Sequence, residues 1–385
     1  MTSNRDHFDS FAPHTLLKHA VYGHYVQRWA YTLLSRWNTV RVVDACAGEG
    51  VDQKGNPGSP LIALNEGVKA ATVLTPKTGI PKSVELVAIE KAPANFKRLS
   101  EHLGPHRNVR LENGTLADVI ASLEPDFARV PHLFFIDPFG LSPLQAEVIR
   151  RALAGPRNEI FLLFAGPAIR RHFGSYAAAQ PVESPQETLF ADLSPELTVV
   201  TEPSDYVLRG AEVSEAIMDA AFGGLNWKAI GELPKERRLQ EAVALYAQLL
   251  TSFGAKRVLP MPIHDHRGHF KYHLIFATKS VRGYTVMKEA MQKGLEKGLV
   301  GSEPGMLLGM SVPIREITKA VITHFAGRTE VPWSAEKGSK GETVRSFALE
   351  DTPAMHDHLK ALRRELEPYA TGGRSNARIY TFPAA

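Results

Sequence analysis

The stretch HLFFIDPFG, His132 to Gly140, runs four apolar residues into a carboxylate and then turns through Pro-Phe-Gly. An exocyclic amino group of a nucleobase is a poor nucleophile because its lone pair is delocalised into the ring. A carboxylate and a backbone carbonyl that accept its two hydrogens would localise that pair. Asp137 supplies the carboxylate. Pro138 removes a competing N–H and fixes φ, Phe139 can stack on a base, and Gly140 permits close approach. The chemistry these residues suit is an in-line group transfer, in which the protein holds a nucleophile, excludes water and accepts a proton. A structural reading stands beside it, since Asp-Pro commonly opens a turn or caps a helix, and the following LSPLQAEVIRRAL is helical in pattern.

Three further strand-like runs end in polar residues of complementary chemistry. VVDACAGEG closes with Asp44 at the tip and Ala47, Gly48 and Gly50 in the turn, where missing Cβ atoms let a ligand approach the backbone. A dinucleotide fingerprint needs a third glycine at position 53, which is Gln53. A carboxylate before the turn would repel a pyrophosphate, yet it suits a cationic ligand with an ammonium group, and S-adenosylmethionine is such a ligand. VAIEK leaves Glu90, followed by Lys91, where an acid can accept from both ribose hydroxyls, and LENGTLAD offers Asn113 and Thr115 near the adenine, with Asp118 a weaker candidate. Singly, each has an ordinary reading: Gly-x-Gly occurs in many turns, Glu90 fits a helix macrodipole, and Asn113 fits a helix cap. Together they fall at the carboxyl ends of successive strands, where open α/β sheets bind ligands.

These residues need a particular scaffold. TVRVVDA, SVELVAIE, NVRLENG, HLFFID and EIFLLFA alternate with helical patterns, which predicts a parallel α/β sheet covered on both faces. RVLPMPIH and FKYHLIFATKS flank an Asp-His-Arg-Gly turn and predict an antiparallel hairpin, giving a seven-stranded, class I methyltransferase-like (Rossmann-like) sheet. Before it, Thr15 to Trp37 repeats apolar residues at helical spacing. The expected organisation is an N-terminal helical segment over 1–38, the α/β domain over 39–300 with an inserted loop or lid at about 166–233, and a winged-helix-like module over 301–385. Within the insertion, Arg170, Arg171 and Phe173 suit phosphate and base contacts. His264, His266, His269 and His273 supply nitrogen for zinc, but their spacing around a turn does not ensure a convergent tetrahedral geometry, and no metal is predicted.

Composition sets the outer bounds. With 385 residues, 44% of them hydrophobic, the chain can bury a sizeable core and an accessory module. A net charge of +4 only hints at anionic partners. One cysteine, Cys46, excludes an internal disulfide or multi-cysteine metal site and fits a reducing setting. Without a signal-like N-terminus or a long apolar run, the chain reads as a soluble cytoplasmic protein.

VVDACAGEG, GNPGSPLIAL, VAIEK, FFIDPFG and HLIFATKSVRGYTVMKEAM together resemble the three-Cys-motif partner family, from about Lys18 to Met291. The resemblance implies a class I methyltransferase-like fold and a partner carrying a three-cysteine, radical S-adenosylmethionine-like motif. Asp137 to Gly140 is also similar to the catalytic motif of tRNA guanine-N2 dimethyltransferases. It lacks the second proline of the Asp-Pro-Pro-Tyr type. The expected function is S-adenosylmethionine-dependent methylation of an amino group on a nucleobase in DNA or RNA. Two alternatives are a catalytically silent nucleic-acid- or partner-binding protein and, more weakly, a nuclease holding magnesium on Asp44, Glu90 and Asp137.

Overall fold

The computed structural model describes residues 13–178, 182–185, 198–201, 205–264, 269–296, 314–334, 342–352, 354, 358–373 and 377–384. From the N-terminus these form α1 (Pro13–Leu34), β1 (Thr39–Asp44), α2 (Ser59–Thr78), β2 (Ser83–Glu90), α3 (Pro93–Leu103), β3 (Val109–Asn113), α4 (Leu116–Leu123), β4 (His132–Ile136), α5 (Ala146–Leu153) and β5 (Glu159–Phe164). Then come α6 (Gly166–Ala178), the antiparallel pair β6 (Val182–Pro185) and β7 (Thr198–Thr201), α7 (Asp205–Phe222), α8 (Lys228–Gly231), α9 (Lys235–Ser252), β8 (Arg257–His264), β9 (Phe270–Thr278) and α10 (Val281–Glu296).

A seven-stranded sheet has the order β3-β2-β1-β4-β5-β9-β8; its first five strands are parallel, and β9 is antiparallel to both β5 and β8. This is the class I methyltransferase-like, Rossmann-like arrangement predicted from the strand pattern. Every residue of β4 and β5 is buried, which explains why HLFFI and EIFLLF are continuous rather than alternating: helices cover both faces. On one face Tyr22 of α1 stacks on Phe135 of β4 at 4.1 Å between ring centroids. On the other, Tyr246 of α9 meets Phe164 of β5 at 4.8 Å. Gly67 lets α2 lie close to the sheet, since a Cβ there would sit 2.7 Å from Val84 Cγ1.

Helix α1 belongs to this core. Its stripe of Leu17, Val21, Tyr25 and Trp29 is buried against the same cluster as α2 and α10. A buried polar knot fastens it: Glu159 Oε2 accepts from the Tyr25 hydroxyl at 2.6 Å, and Oε1 accepts from Thr278 Oγ1 at 2.5 Å. The start of the anticipated insertion is not a loop. Gly166–Ala178 is helical, because Pro167 suits a first turn and Ile169 and Phe173 bury one face at i, i+4 spacing; the glycines obscured that pattern. The Asp-His-Arg-Gly turn with His266 lies outside the described residues.

The C-terminal region has its own core, with Phe325, Trp333, Tyr380 and Phe382 buried together. It runs α11 (Ile314–His324), β10 (Val331–Pro332), α12 (Val344–Asp351), α13 (His358–Glu365), β11 (Ala370–Gly372) and β12 (Ile379–Tyr380), with a sheet ordered β10-β12-β11. A Thr343/Ser346 capping box starts α12. Lys288 of α10, buried, donates to Leu349 O at 2.9 Å and Thr352 O at 3.0 Å at the end of α12, and Arg257 pairs with Glu350 at 2.7 Å. No helix among the described residues is long and apolar enough to cross a membrane.

The knot at Glu159 makes a signed prediction. Burial raises its carboxyl from 4.5 to about 7, against the opposing hydrogen bonds from Thr278 and Tyr25. The native state therefore holds this proton more tightly than the unfolded chain, and the stability so gained is lost as pH rises through that interval. Glutamine does not titrate. The stability of the wild type relative to Glu159→Gln should fall by about 3 kcal/mol between roughly pH 5 and 8, measured by urea denaturation. A difference that stays flat with pH contradicts the assignment.

Candidate functional site

Strand β1 has β2 on one side and β4 on the other, so the chain leaves their carboxyl ends in opposite directions and a crevice opens there. A cleft of about 970 Å³ occupies it, lined among others by Gly48, Gly50, Glu90, Thr115, Asp137 and Phe139. That volume is at the upper end of ordinary ligand sites and accommodates a nucleoside cofactor with a second molecule beside it.

The glycine turn is held by the neighbouring strand. Gly48 and Gly50 have φ of 63° and 86°, a region costly for other residues. Ala47 N donates to Ile89 O at 2.9 Å, and Gly48 N to Glu90 Oε2 at 2.9 Å. Glu90 Oε1 accepts from Ala92 N at 2.8 Å. A carboxylate offers about four acceptor positions, so Glu90 can secure the turn and still accept from a ligand. Gly58 N donates to Gly50 O at 2.8 Å, and a Cβ on Gly58 would lie only 2.9 Å from that oxygen. Asp52 closes the intervening loop by accepting from Lys54 N, Asn56 N and Asn56 Nδ2.

Asp44 differs from expectation. It is fully buried behind the turn and does not line the cleft. Its Oδ1 accepts from Cys46 N at 3.3 Å. Burial pushes the carboxyl up to about 7, only partly offset by the Ser59 hydroxyl and the Cys46 amide, and Oδ2 has no well-formed hydrogen bond. A carboxyl so placed holds the turn from behind, and the Lys18 ammonium lies near enough to oppose part of the rise. Cys46, half-buried in the cleft wall, is raised by burial as well, so it stays a protonated thiol near neutral pH.

Asn113 is likewise outside the cleft: its Nδ2 donates to Glu90 O at 2.8 Å and fastens β3 to the end of β2. Thr115 lines the cleft and also caps α4, with its N and Oγ1 both donating to Asp118 Oδ2, at 2.8 and 2.6 Å. Those bonds hold the Asp118 carboxyl below its usual range. Lys91 lines the wall beside Glu90. Of the expected substrate contacts, Gly140 and Arg171 line the cleft, whereas Arg170 lies over the Phe270 ring at 5.6 Å. Phe173 is 1% exposed and packs near Trp227, so it is a core residue and not a stacking platform. Phe139, by contrast, is 71% exposed at the cleft.

The structure adds a partner for Asp137. Lys18 of α1 is buried, lines the cleft and forms an ion pair with Asp137 Oδ2 through Nζ. Next to it, burial, with Lys18, lowers His19 to about 4, so it is neutral near physiological pH. Tyr272 of β9, raised by burial, completes this wall. The sequence does hold a clue to Lys18, a charged residue on the apolar side of α1, four positions before Tyr22. Among the described residues no three His, Cys, Asp or Glu side chains gather to hold a metal ion.

No family model and no curated protein matches the chain. Solved structures similar to it include the plantazolicin methyltransferase BamL in complex with a desmethyl analogue and SAH, at 11% identity over 76% of this chain and 81% of that one, TM-score 0.32. Fibrillarin from Aeropyrum pernix with natively bound S-adenosyl-L-methionine is 11% identical over 67% and 76%, TM-score 0.26. The precorrin 8w decarboxylase of Methanobacterium thermoautotrophicum is 12% identical over 66% and 88%, TM-score 0.28. Similarity at this level assigns neither family nor substrate.

The bonds of Glu90 make the first test of the cleft. Glutamine keeps one acceptor oxygen and turns an NH₂ toward either Gly48 N or Ala92 N, so the turn loses an anchor. On the expectation that the cleft takes S-adenosylmethionine, Glu90→Gln should weaken S-adenosylhomocysteine binding about tenfold in calorimetry, the equivalent of one lost hydrogen bond. Unchanged affinity would remove Glu90 from the site.

Proposed function

We propose that this chain is an S-adenosylmethionine-dependent methyltransferase acting on an amino group of a nucleobase in DNA or RNA. The observation that carries the reading is that the glycine turn, Glu90 and Asp137–Pro138–Phe139 line one cleft at the switch point of a class I methyltransferase-like sheet. The cleft's residues fit the cofactor: an open glycine backbone and a carboxylate with acceptor capacity left over, with the Asp44 carboxyl buried behind the turn and outside the cleft. When bound, the cofactor supplies a methyl group activated by its sulfonium. Glu90 would take the ribose hydroxyls, with Thr115 and Lys91 beside the adenosine. Asp137 Oδ2 is engaged by Lys18, which leaves Oδ1 to accept an N–H of the acceptor. Phe139, exposed, offers a face for the base, and Arg171 a phosphate contact. The family resemblance adds a three-cysteine-motif partner to the proposal, and the helix–strand–helix–helix–strand–strand order of the C-terminal region supports a winged-helix-like module there.

Lys18 favours a second reading. A nitrogen acceptor gains positive charge as the methyl arrives, which a neighbouring ammonium opposes; a hydroxyl acceptor must become more negative, which an ammonium favours. The acceptor under this reading is a ribose hydroxyl.

Nucleoside mass spectrometry separates the two after incubation of total RNA or DNA with labelled S-adenosylmethionine. Label on an N-methylated base is expected, and label on ribose oxygen decides for the second reading. Asp137→Asn should abolish transfer while S-adenosylhomocysteine affinity stays within about threefold, less than the loss of one hydrogen bond. Collapse of cofactor binding in that variant contradicts the role given to Asp137. No cofactor binding by the wild type at millimolar ligand would favour a silent binding protein.

A further inference from the structure

Asp44, the carboxylate expected beside the cofactor's ammonium, lies buried behind the glycine turn and outside the cleft. The groups that line the cleft near it are donors, and they come from the ends of two helices. Helices α1 and α2 run side by side in the same direction: a Cβ on Gly23 would lie 3.0 Å from Ile62 Cγ2, and further along both helices Lys77 Nζ lies 5.8 Å from the centre of the Tyr31 ring. Both therefore begin at the cleft, which Thr15 and Lys18 of α1 line together with Gly58 and Ser59 at the start of α2.

Helix α2 is 20 residues long and follows Gly58, and no side chain caps its first turn. The positive end of a long helix favours an anion. Two buried side chains supply the donors to hold one. Thr15 is 6% exposed and lines the cleft, and its hydroxyl forms no hydrogen bond among the described residues. Lys18, also 6% exposed, gives one donor to Asp137 Oδ2 and has two more. A buried ammonium is costly to leave half-satisfied, and a second carboxylate relieves that cost.

Position and depth narrow the class of anion. Glu90 and Thr115, on the adenosine side, follow β2 and β3, whereas Lys18 meets the end of β4 on the other side of β1. An elongated ligand with its nucleoside at the first place has its amino-acid end at the second. A terminal carboxylate on a flexible chain reaches donors as deep as Thr15 and Lys18. A phosphodiester, flanked by two sugars, does not. The amino acid's own ammonium balances the negative charge brought in.

We propose that Lys18 and Thr15, with the first turn of α2, form the subsite for the α-carboxylate of the cofactor's amino-acid end, so that the lysine paired with Asp137 also anchors the methyl donor. The inference rests on the methyltransferase reading and extends it to α1.

The test is calorimetry on the full chain with two ligands that differ only in that group, S-adenosylhomocysteine and its decarboxylated analogue S-adenosyl-3-thiopropylamine. The wild type should bind S-adenosylhomocysteine about thirtyfold more tightly than the analogue, as expected for a charge-assisted contact. Lys18→Met should bring S-adenosylhomocysteine down to the affinity of the analogue while the analogue itself stays within about threefold, and Thr15→Val should narrow the gap about fivefold, one neutral hydrogen bond. Because Lys18→Met also leaves Asp137 unpaired, the measurement is repeated with Asp137→Asn added, and the gap should remain closed. A gap that reopens in that double variant assigns the effect to repulsion from Asp137 and overturns the proposal. Equal binding of the two ligands by the wild type, or a folded Lys18→Met chain that still separates them, overturns it as well. Should Lys18→Met unfold in a thermal melt, an unchanged gap in Thr15→Val does the same. Failure of the wild type to bind either ligand at millimolar concentration is a different result, and it defeats the methyltransferase reading itself.

Discussion

Everything in the site follows from the position of β1 between β2 and β4. Parallel strands need crossover connections, and crossovers that leave adjacent strands in opposite directions cannot close over their carboxyl ends. The crevice is therefore a consequence of strand order, and the residues just beyond β1, β2 and β4 must meet there whatever their identity. The chain places two glycines, a glutamate and an aspartate at those ends. Glu90 illustrates how fold and site are joined, since the carboxylate available to a ligand is the one that holds the glycine turn open.

What was legible in the sequence was what depends on period and on chain order. Continuous apolar runs ending in polar residues located the five parallel strands and their carboxyl ends, and the antiparallel hairpin marked the end of the sheet. Depth was less legible. Asp44 and Asn113 have the right chemistry at the right strand ends, yet one turned out to be buried behind the loop and the other tied to the backbone of β2. Alternation of side-chain direction and one residue of strand length decide such cases, and neither can be read from residue type. Phe173 was misplaced for a related reason: once Gly166–Ala178 is a helix, its aromatic residue faces Trp227 and the core.

Lys18 was missed because it comes from an element that looked peripheral. A lysine on a buried helical face is costly unless paired, and its pairing with Asp137 explains both why it is tolerated and why α1 is integral to the sheet's cover. The same helix carries Tyr25 to the knot at Glu159. One helix thus contributes to both ends of the sheet.

The most direct test of the central claim is a crystal structure of the chain grown with S-adenosylhomocysteine. The account requires the ligand in the cleft, its ribose against Glu90, its backbone contacts at Gly48 and Gly50, and its sulfur facing Asp137. A ligand bound elsewhere, or in the cleft with its sulfur turned away from Asp137, would contradict it.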